Sequence, residues 1–148
     1  MISNESIVTV SNRNYEYEDL TIQEVAENIG KYFTISLNAR SNVYSCVPIE
    51  KSEIYATYTG QMLNLIFENN QGRQYKLSVK PNCEFITKRG IIKASKLNEL
   101  DVLIDESDYL CKVIGKDTIN VEDIILCELS ILYTYNYFCN GILIKGKI

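Results

Sequence analysis

The chain holds 148 residues and no histidine, so the side chain that most often moves protons near neutral pH is missing from every position. Chemistry must come from elsewhere: the cysteines Cys46, Cys83, Cys111, Cys127 and Cys139, the early serines Ser3 and Ser6, the pair Asn140-Gly141, and the acidic run Asp101, Asp105, Glu106 and Asp108. The cysteines form no Cys-x-x-Cys and are odd in number, so neither a disulfide framework nor a zinc site is expected, and they read as small apolar residues on strands. Cys83 follows Lys80 by three positions, and a nearby ammonium group lowers a thiol pKa and makes the sulfur nucleophilic. Against that stands its reading as a buried strand cysteine. Asn140-Gly141 could close to a succinimide or form a tight turn, and the turn is the expected reading. The acidic run has ligands a hard cation would take, but no calcium-loop spacing, so a solvated turn is expected there. No metal or cofactor is expected.

Those residues must be held by a fold. With 46% hydrophobic residues in one ordinary domain length, residues 1–148 read as a single domain able to close its own core. No apolar run approaches the roughly 20 residues of a membrane span, and Met-Ile-Ser-Asn-Glu-Ser has neither the basic start nor the apolar stretch of a signal peptide, so a soluble intracellular protein is expected. A net charge of −4 repels a phosphate backbone, which argues against nucleic-acid binding. Abundant Ile, Asn, Lys and Tyr with no Trp or His is a bias of AT-rich genomes, such as those of low-GC bacteria and their viruses.

One helix is expected. Ile22, Val25, Ala26 and Ile29 fall on one face, Thr21 and Glu24 are placed as a capping box, and Gly30 is a stop. The rest reads as short strands: 6–10, 15–17, 32–37, 43–47, 54–58, 62–67, 73–79, 84–87, 91–93, 101–104, 109–114, 124–131 and 142–145, with a single helical turn at 94–97. Residues 62–67 and 73–79 flank Glu68-Asn69-Asn70-Gln71-Gly72 as a hairpin. Many short strands with close turns predict an all-β barrel or sandwich-like fold.

Two stretches narrow the choice. Tyr75-Lys76-Leu77-Ser78-Val79-Lys80-Pro81-Asn82-Cys83 runs through a short strand and Gly90 to Ala94-Ser95-Lys96-Leu97-Asn98-Glu99-Leu100-Asp101. It resembles the intein block that ends in Thr-Pro-x-His and its sequel, Ala-x-x-Leu-x-x-Gly-Asp. Leu126-Cys127-Glu128-Leu129-Ser130-Ile131, then Tyr135-Asn136-Tyr137-Phe138-Cys139-Asn140-Gly141-Ile142-Leu143-Ile144-Lys145-Gly146, is similar to an intein's end, Tyr-Asp-Leu-x-Val followed by His-Asn-Tyr-Phe-Ala-Asn-Gly-Ile-Leu-Val-His-Asn. The two cover about a third of the chain in the family's order. Ser6-Ile7-Val8 and Glu18-Asp19-Leu20 agree more weakly with the family's beginning. The resemblance is to the Hint domain of inteins and hedgehog autoprocessing proteins, and implies an all-β horseshoe of short strands with one short helix.

The same resemblance implies where splicing chemistry would sit. Met1 falls at the first nucleophile, Lys80 at the Thr and Cys83 at the His of the first block, Tyr135 at the next His, Lys145 at the penultimate His and Gly146 at the cyclising Asn. Each catalytic position carries a group unsuited to its step, so a degenerate, non-catalytic domain is expected, with Glu128 keeping a carboxylate for hydrogen bonding. Ser3 or Ser6 as a shifted nucleophile would release only a few residues, with no N-terminal passenger to join. The leading expectation is therefore a structural or protein-binding module that contacts an unidentified protein partner, in one version a virus-encoded assembly component. The aromatics Tyr133, Tyr135, Tyr137 and Phe138 are its candidate contact surface, or else part of the core. The alternative is an autoprocessing domain using Cys83, Ser3 or Ser6, and a weaker one is a regulator of a host protein.

Overall fold

The computed structural model describes residues 1–38 and 40–147. Twelve strands follow in chain order: β1 (Ile2–Ser3), β2 (Ile7–Asn12), β3 (Tyr17–Thr21), β4 (Tyr32–Asn38), β5 (Val43–Asn69), β6 (Gln74–Val79), β7 (Glu84–Thr87), β8 (Gly90–Lys93), β9 (Val102–Ile104), β10 (Leu110–Ile131), β11 (Asn136–Cys139) and β12 (Ile142–Lys145). Helix α1 (Ile22–Glu27) lies between β3 and β4. All strand pairings are antiparallel, in the order β8-β7-β12-β11-β2-β4-β5-β6-β1-β10-β9, with β3 added to the free side of β2. The fold is mainly β with one short helix, as the sequence predicts.

The helix begins where expected: the Thr21 hydroxyl accepts from the Glu24 N–H at 3.2 Å, and Ile22, Val25 and Ala26 are buried. It ends early, at Glu27, and a single 3-10 turn at Ile29–Lys31 takes up the remaining residues before Tyr32. The expected strand at 15–17 is instead a turn whose Tyr15 has φ 61°, and β3 starts at Tyr17.

The main departure is in strand length. Three expected strands, at 43–47, 54–58 and 62–67, are one 27-residue strand, β5, and those at 109–114 and 124–131 are one 22-residue strand, β10. These two pair from Cys111 opposite Asn69 to Ile131 opposite Ile49, with register shifts that let the ribbon bend, one of them spanning Asp123 at φ 52°. No residue is buried between 50 and 61 or between 114 and 125. A ribbon wet on both faces has no apolar alternation, so polar residues inside it look like strand ends.

At its ends the ribbon joins the core. β4 pairs the start of β5, from Phe33 opposite Pro48 to Asn38 opposite Val43, and β6 pairs its end, from Leu63 opposite Val79 to Glu68 opposite Gln74. One main hydrophobic cluster runs through the molecule, with Val8, Val10, Ile22, Leu65, Phe67, Phe85, Leu129, Tyr137 and Ile144 among its buried members. Phe67 and Phe85 meet at 5.7 Å between ring centroids. Among the described residues no helix is long and apolar enough to cross a membrane.

Candidate functional site

β1 is only two residues long, but Ile2 pairs with Val79 of β6 and Cys127 of β10, which fixes Met1 at the head of the sheet. The Lys80 N–H donates to the Met1 carbonyl at 3.0 Å. From Lys80 the chain turns through Pro81, the Cys83 N–H donating to the Lys80 carbonyl at 3.0 Å and the Cys83 carbonyl accepting from Ala94 N–H at 2.7 Å. β12 delivers Lys145 and Gly146 from the other side, and the Gly146 N–H donates to the Tyr135 carbonyl at 2.7 Å. The result is a cavity of about 400 Å³ lined by Met1, Lys80, Asn82, Cys83, Glu84, Glu128, Lys145, Gly146 and Lys147. Five of the six positions singled out by the resemblance thus meet in one cavity, and the sixth, Tyr135, does not line it but is tied to Gly146 through its backbone carbonyl.

Three of the four cations there are held as pairs: the Met1 amino group lies 3.7 Å from Glu128 Oε1, Lys145 Nζ 3.5 Å from Glu84 Oε1, and Lys147 Nζ 2.5 Å from Glu53 Oε1. Glu128, expected to serve as a hydrogen-bonding carboxylate, serves as one of these counter-ions. Lys80 does not activate Cys83. Its ammonium sits 5.1 Å over the Tyr58 ring, and burial pushes the Cys83 thiol up to about 11, with Glu128 and Glu84 pushing the same way and the terminal amine opposing them. Gly146 is tightly enclosed: a Cβ built there would stand 2.6 Å from the Leu129 carbonyl oxygen and 3.3 Å from the Tyr137 ring.

Ser3 and Ser6 lie elsewhere, lining a separate recess with Lys76 and Asn140, and Ser6 is buried. Asn140 (φ 47°) and Gly141 (φ 83°) form the tight turn between β11 and β12. Asn140 Oδ1 accepts from Ile7 N–H at 2.6 Å and its Nδ2 donates to the Lys76 carbonyl at 2.7 Å, so the side chain is clamped on both sides.

Two expectations need correction. The acidic run is a solvated turn only in part: Glu106 and Asp108 are exposed at a turn, but Asp101 and Asp105 are buried. Asp105 accepts from Tyr75 Oη (2.7 Å), Asn69 Nδ2 (2.8 Å) and the N–H groups of Ser107 (2.9 Å) and Tyr109 (2.8 Å). Asp101 pairs with Arg89 and accepts from Asn98 N–H at 2.9 Å. Polar side chains in a run do not reveal which of them turn inward to organise loops. Nor do the four aromatics form one surface: Tyr137 and Phe138 are 1% and 3% exposed, covered on both faces of β11, while Tyr133 is 81% exposed. Their alternative reading, as core, holds for Tyr137 and Phe138.

Sequence reasoning missed Asn136, which organises this corner. Its Oδ1 accepts from Leu37 N–H (2.9 Å) and Ser36 Oγ (2.7 Å), and its Nδ2 donates to the carbonyls of Leu37 (2.8 Å) and Thr134 (3.1 Å). That holds the turn in which Tyr133 (φ 65°) and Tyr135 (φ 56°) take left-handed backbone. A lone Asn between two tyrosines carries no sequence signal for this.

Of the five thiols, only Cys46 is exposed. In the native protein a disulfide reagent is expected to titrate one thiol rapidly, and the other four only on denaturation. Two rapidly reacting thiols, with Cys83 as the second by peptide mapping, would contradict the buried, unactivated state described above.

The sequence matches no family model and no curated protein. The structure, however, superposes closely on solved inteins. The PabCDC21-1 intein matches with a TM-score of 0.80 at 17% identity, covering 99% of this chain and 98% of that one. A DnaB intein from Synechocystis sp. PCC 6803 matches at 0.75 and 17%, covering 99% and 98%, and a bacterial intein-like domain from Clostridium thermocellum at 0.75 and 14%, covering 99% of each. Antiparallel topology, paired terminal segments and whole-length superposition agree: this chain has the Hint fold.

Proposed function

We propose that the protein is a non-catalytic Hint-fold module that works by shape, as a structural or protein-binding component. The observation that carries this reading is the content of the cavity at Met1, Cys83, Lys145 and Gly146. A thioether has no proton to lose, and the only thiol there is buried and pushed up to about 11. Position 146 has no side chain and no room for one beside Leu129, and no imidazole exists in the chain to protonate a leaving nitrogen. The burial of Ser6 and the separation of both serines from this cavity weigh against the alternative nucleophiles.

The partner of such a module is a protein rather than a nucleic acid, given the net charge of −4. An intracellular setting fits the sequence, and a virus-encoded assembly component is one concrete form, prompted by a composition shared by low-GC bacteria and their viruses. Intact mass spectrometry tests the non-catalytic reading. After prolonged incubation with excess thiol or hydroxylamine the mass is expected to stay unchanged, whereas a lost fragment or an adduct at a backbone carbonyl would refute it.

A further inference from the structure

Three strands of the sheet have a single strand neighbour among the described residues: β9 has β10, β8 has β7 and β3 has β2. β9 is three residues long, and its Val102 carbonyl already accepts from the Lys88 N–H at 3.0 Å. β8 and β3 are the longer edges. They are the two outer strands of one continuous run, β8-β7-β12-β11-β2-β3. Six strands at about 4.8 Å put these edges about 24 Å apart, at opposite ends of the same run. A free edge is a row of N–H and C=O groups that another strand can complete.

The edges differ in charge. Around β8 stand Lys88, Arg89, Lys93 and Lys96 with no acidic residue from 87 to 96. Arg89 is occupied by Asp101, but Lys88, Lys93 and Lys96 are exposed and take no part in any ion pair among the described residues. On β3 and the turn before it, Glu16, Glu18 and Asp19 are exposed and equally free of ion pairs, with no basic residue from 14 to 21. Each edge also carries exposed apolar surface, Ile91 at 52% on β8 and Tyr17 and Tyr15 at 70% and 78% beside β3.

We propose that the β3 edge of one copy of this chain docks on the β8 edge of a second copy. Like charges oppose β8 meeting β8 and β3 meeting β3, so the features that block symmetric pairing select the head-to-tail one. Such a contact is heterologous: each added copy presents a fresh edge, and the result is an open strand of copies or a ring. The inference deepens the protein-binding reading and rests on it, naming the partner as the chain itself.

Sedimentation of the full chain tests it across a concentration series. At about 0.01 M salt the screening length is about 30 Å, and the average mass should rise with concentration above the single-chain 17.0 kDa. At about 1 M, where it is about 3 Å, the mass should fall back to one chain. The doubly substituted K88E/K93E protein and the doubly substituted E16K/E18K protein should each remain monomeric, because both edges of each then carry one sign. An equimolar mixture of the two should assemble as the wild type does, since every edge of one variant meets an edge of opposite charge on the other; a mixture that stays at the single-chain mass counts against the proposal. A wild-type chain that stays at 17.0 kDa throughout, or a K88E/K93E protein that assembles as the wild type does, overturns the proposal. A monomeric wild type with an unchanged covalent mass sinks only self-association, whereas backbone cleavage sinks the non-catalytic reading.

Discussion

Replacing Gly141 with alanine is expected to destabilise the protein by about 2–5 kcal/mol, much of a typical stability of about 5–15 kcal/mol. Two costs add. Gly141 has φ 83°, and left-handed backbone costs an L residue about 1–2 kcal/mol. The new Cβ would also fall on the Tyr75 ring, well inside contact distance. That ring cannot easily swing aside, because Tyr75 is buried and its hydroxyl is held by Asp105, so overpacking adds about 1–3 kcal/mol. Gly72 separates the two terms: it also has φ 83°, but nothing lies within 4 Å of its would-be Cβ. Gly72→Ala should therefore cost only the conformational part. Equal midpoint shifts for the two variants in urea would show that the Tyr75 contact does not matter.

Asp105→Ala is the second large effect, about 3–5 kcal/mol. It strands four donors at once, the Tyr75 hydroxyl, the Asn69 amide and the N–H groups of Ser107 and Tyr109, and buried donors without partners cost about 1–3 kcal/mol each before relaxation and water recover part of it. The same bonds set the acid response. Burial alone would raise the Asp105 pKa, but the donors outweigh it and hold the carboxyl below its ordinary value, while Arg89 holds Asp101 below its own. A depressed folded pKa contributes stability that is present above the unfolded value near 4 and lost as pH falls through the folded one. The wild type should thus lose stability on acidification below about pH 4, and Asp105→Ala should show a shallower loss over that window. Equal acid slopes for the two would remove Asp105 from the account.

These residues also mark what could be read without coordinates. The paired motifs around Tyr75–Asp101 and Tyr135–Gly146 led to the right fold, because they span turns and buried strands whose residue types have few substitutes. Thr21 with Ile22, Val25 and Ala26 placed the helix for the same reason. The length of β5 and β10 was hidden, since Lys51, Glu53 and Lys116 in a ribbon exposed on both faces look like a loop. The inward turn of Asp105 was hidden too: its partners Asn69 and Tyr75 lie 36 and 30 residues away, and local spacing carries no trace of them. For the cavity, resemblance gave the positions to inspect, but only the structure brings Met1 and Cys83 to one wall and Lys145 and Gly146 to the other.

The most direct test of the non-catalytic reading gives the chain something to rearrange. One folded reporter protein is fused before Met1 and a second after Ile148, and the purified fusion is held near neutral pH with and without thiol. The cavity described above predicts one species at the full fusion mass throughout. Reporters joined to each other, or either one released at its junction, would show that this scaffold still moves peptide bonds.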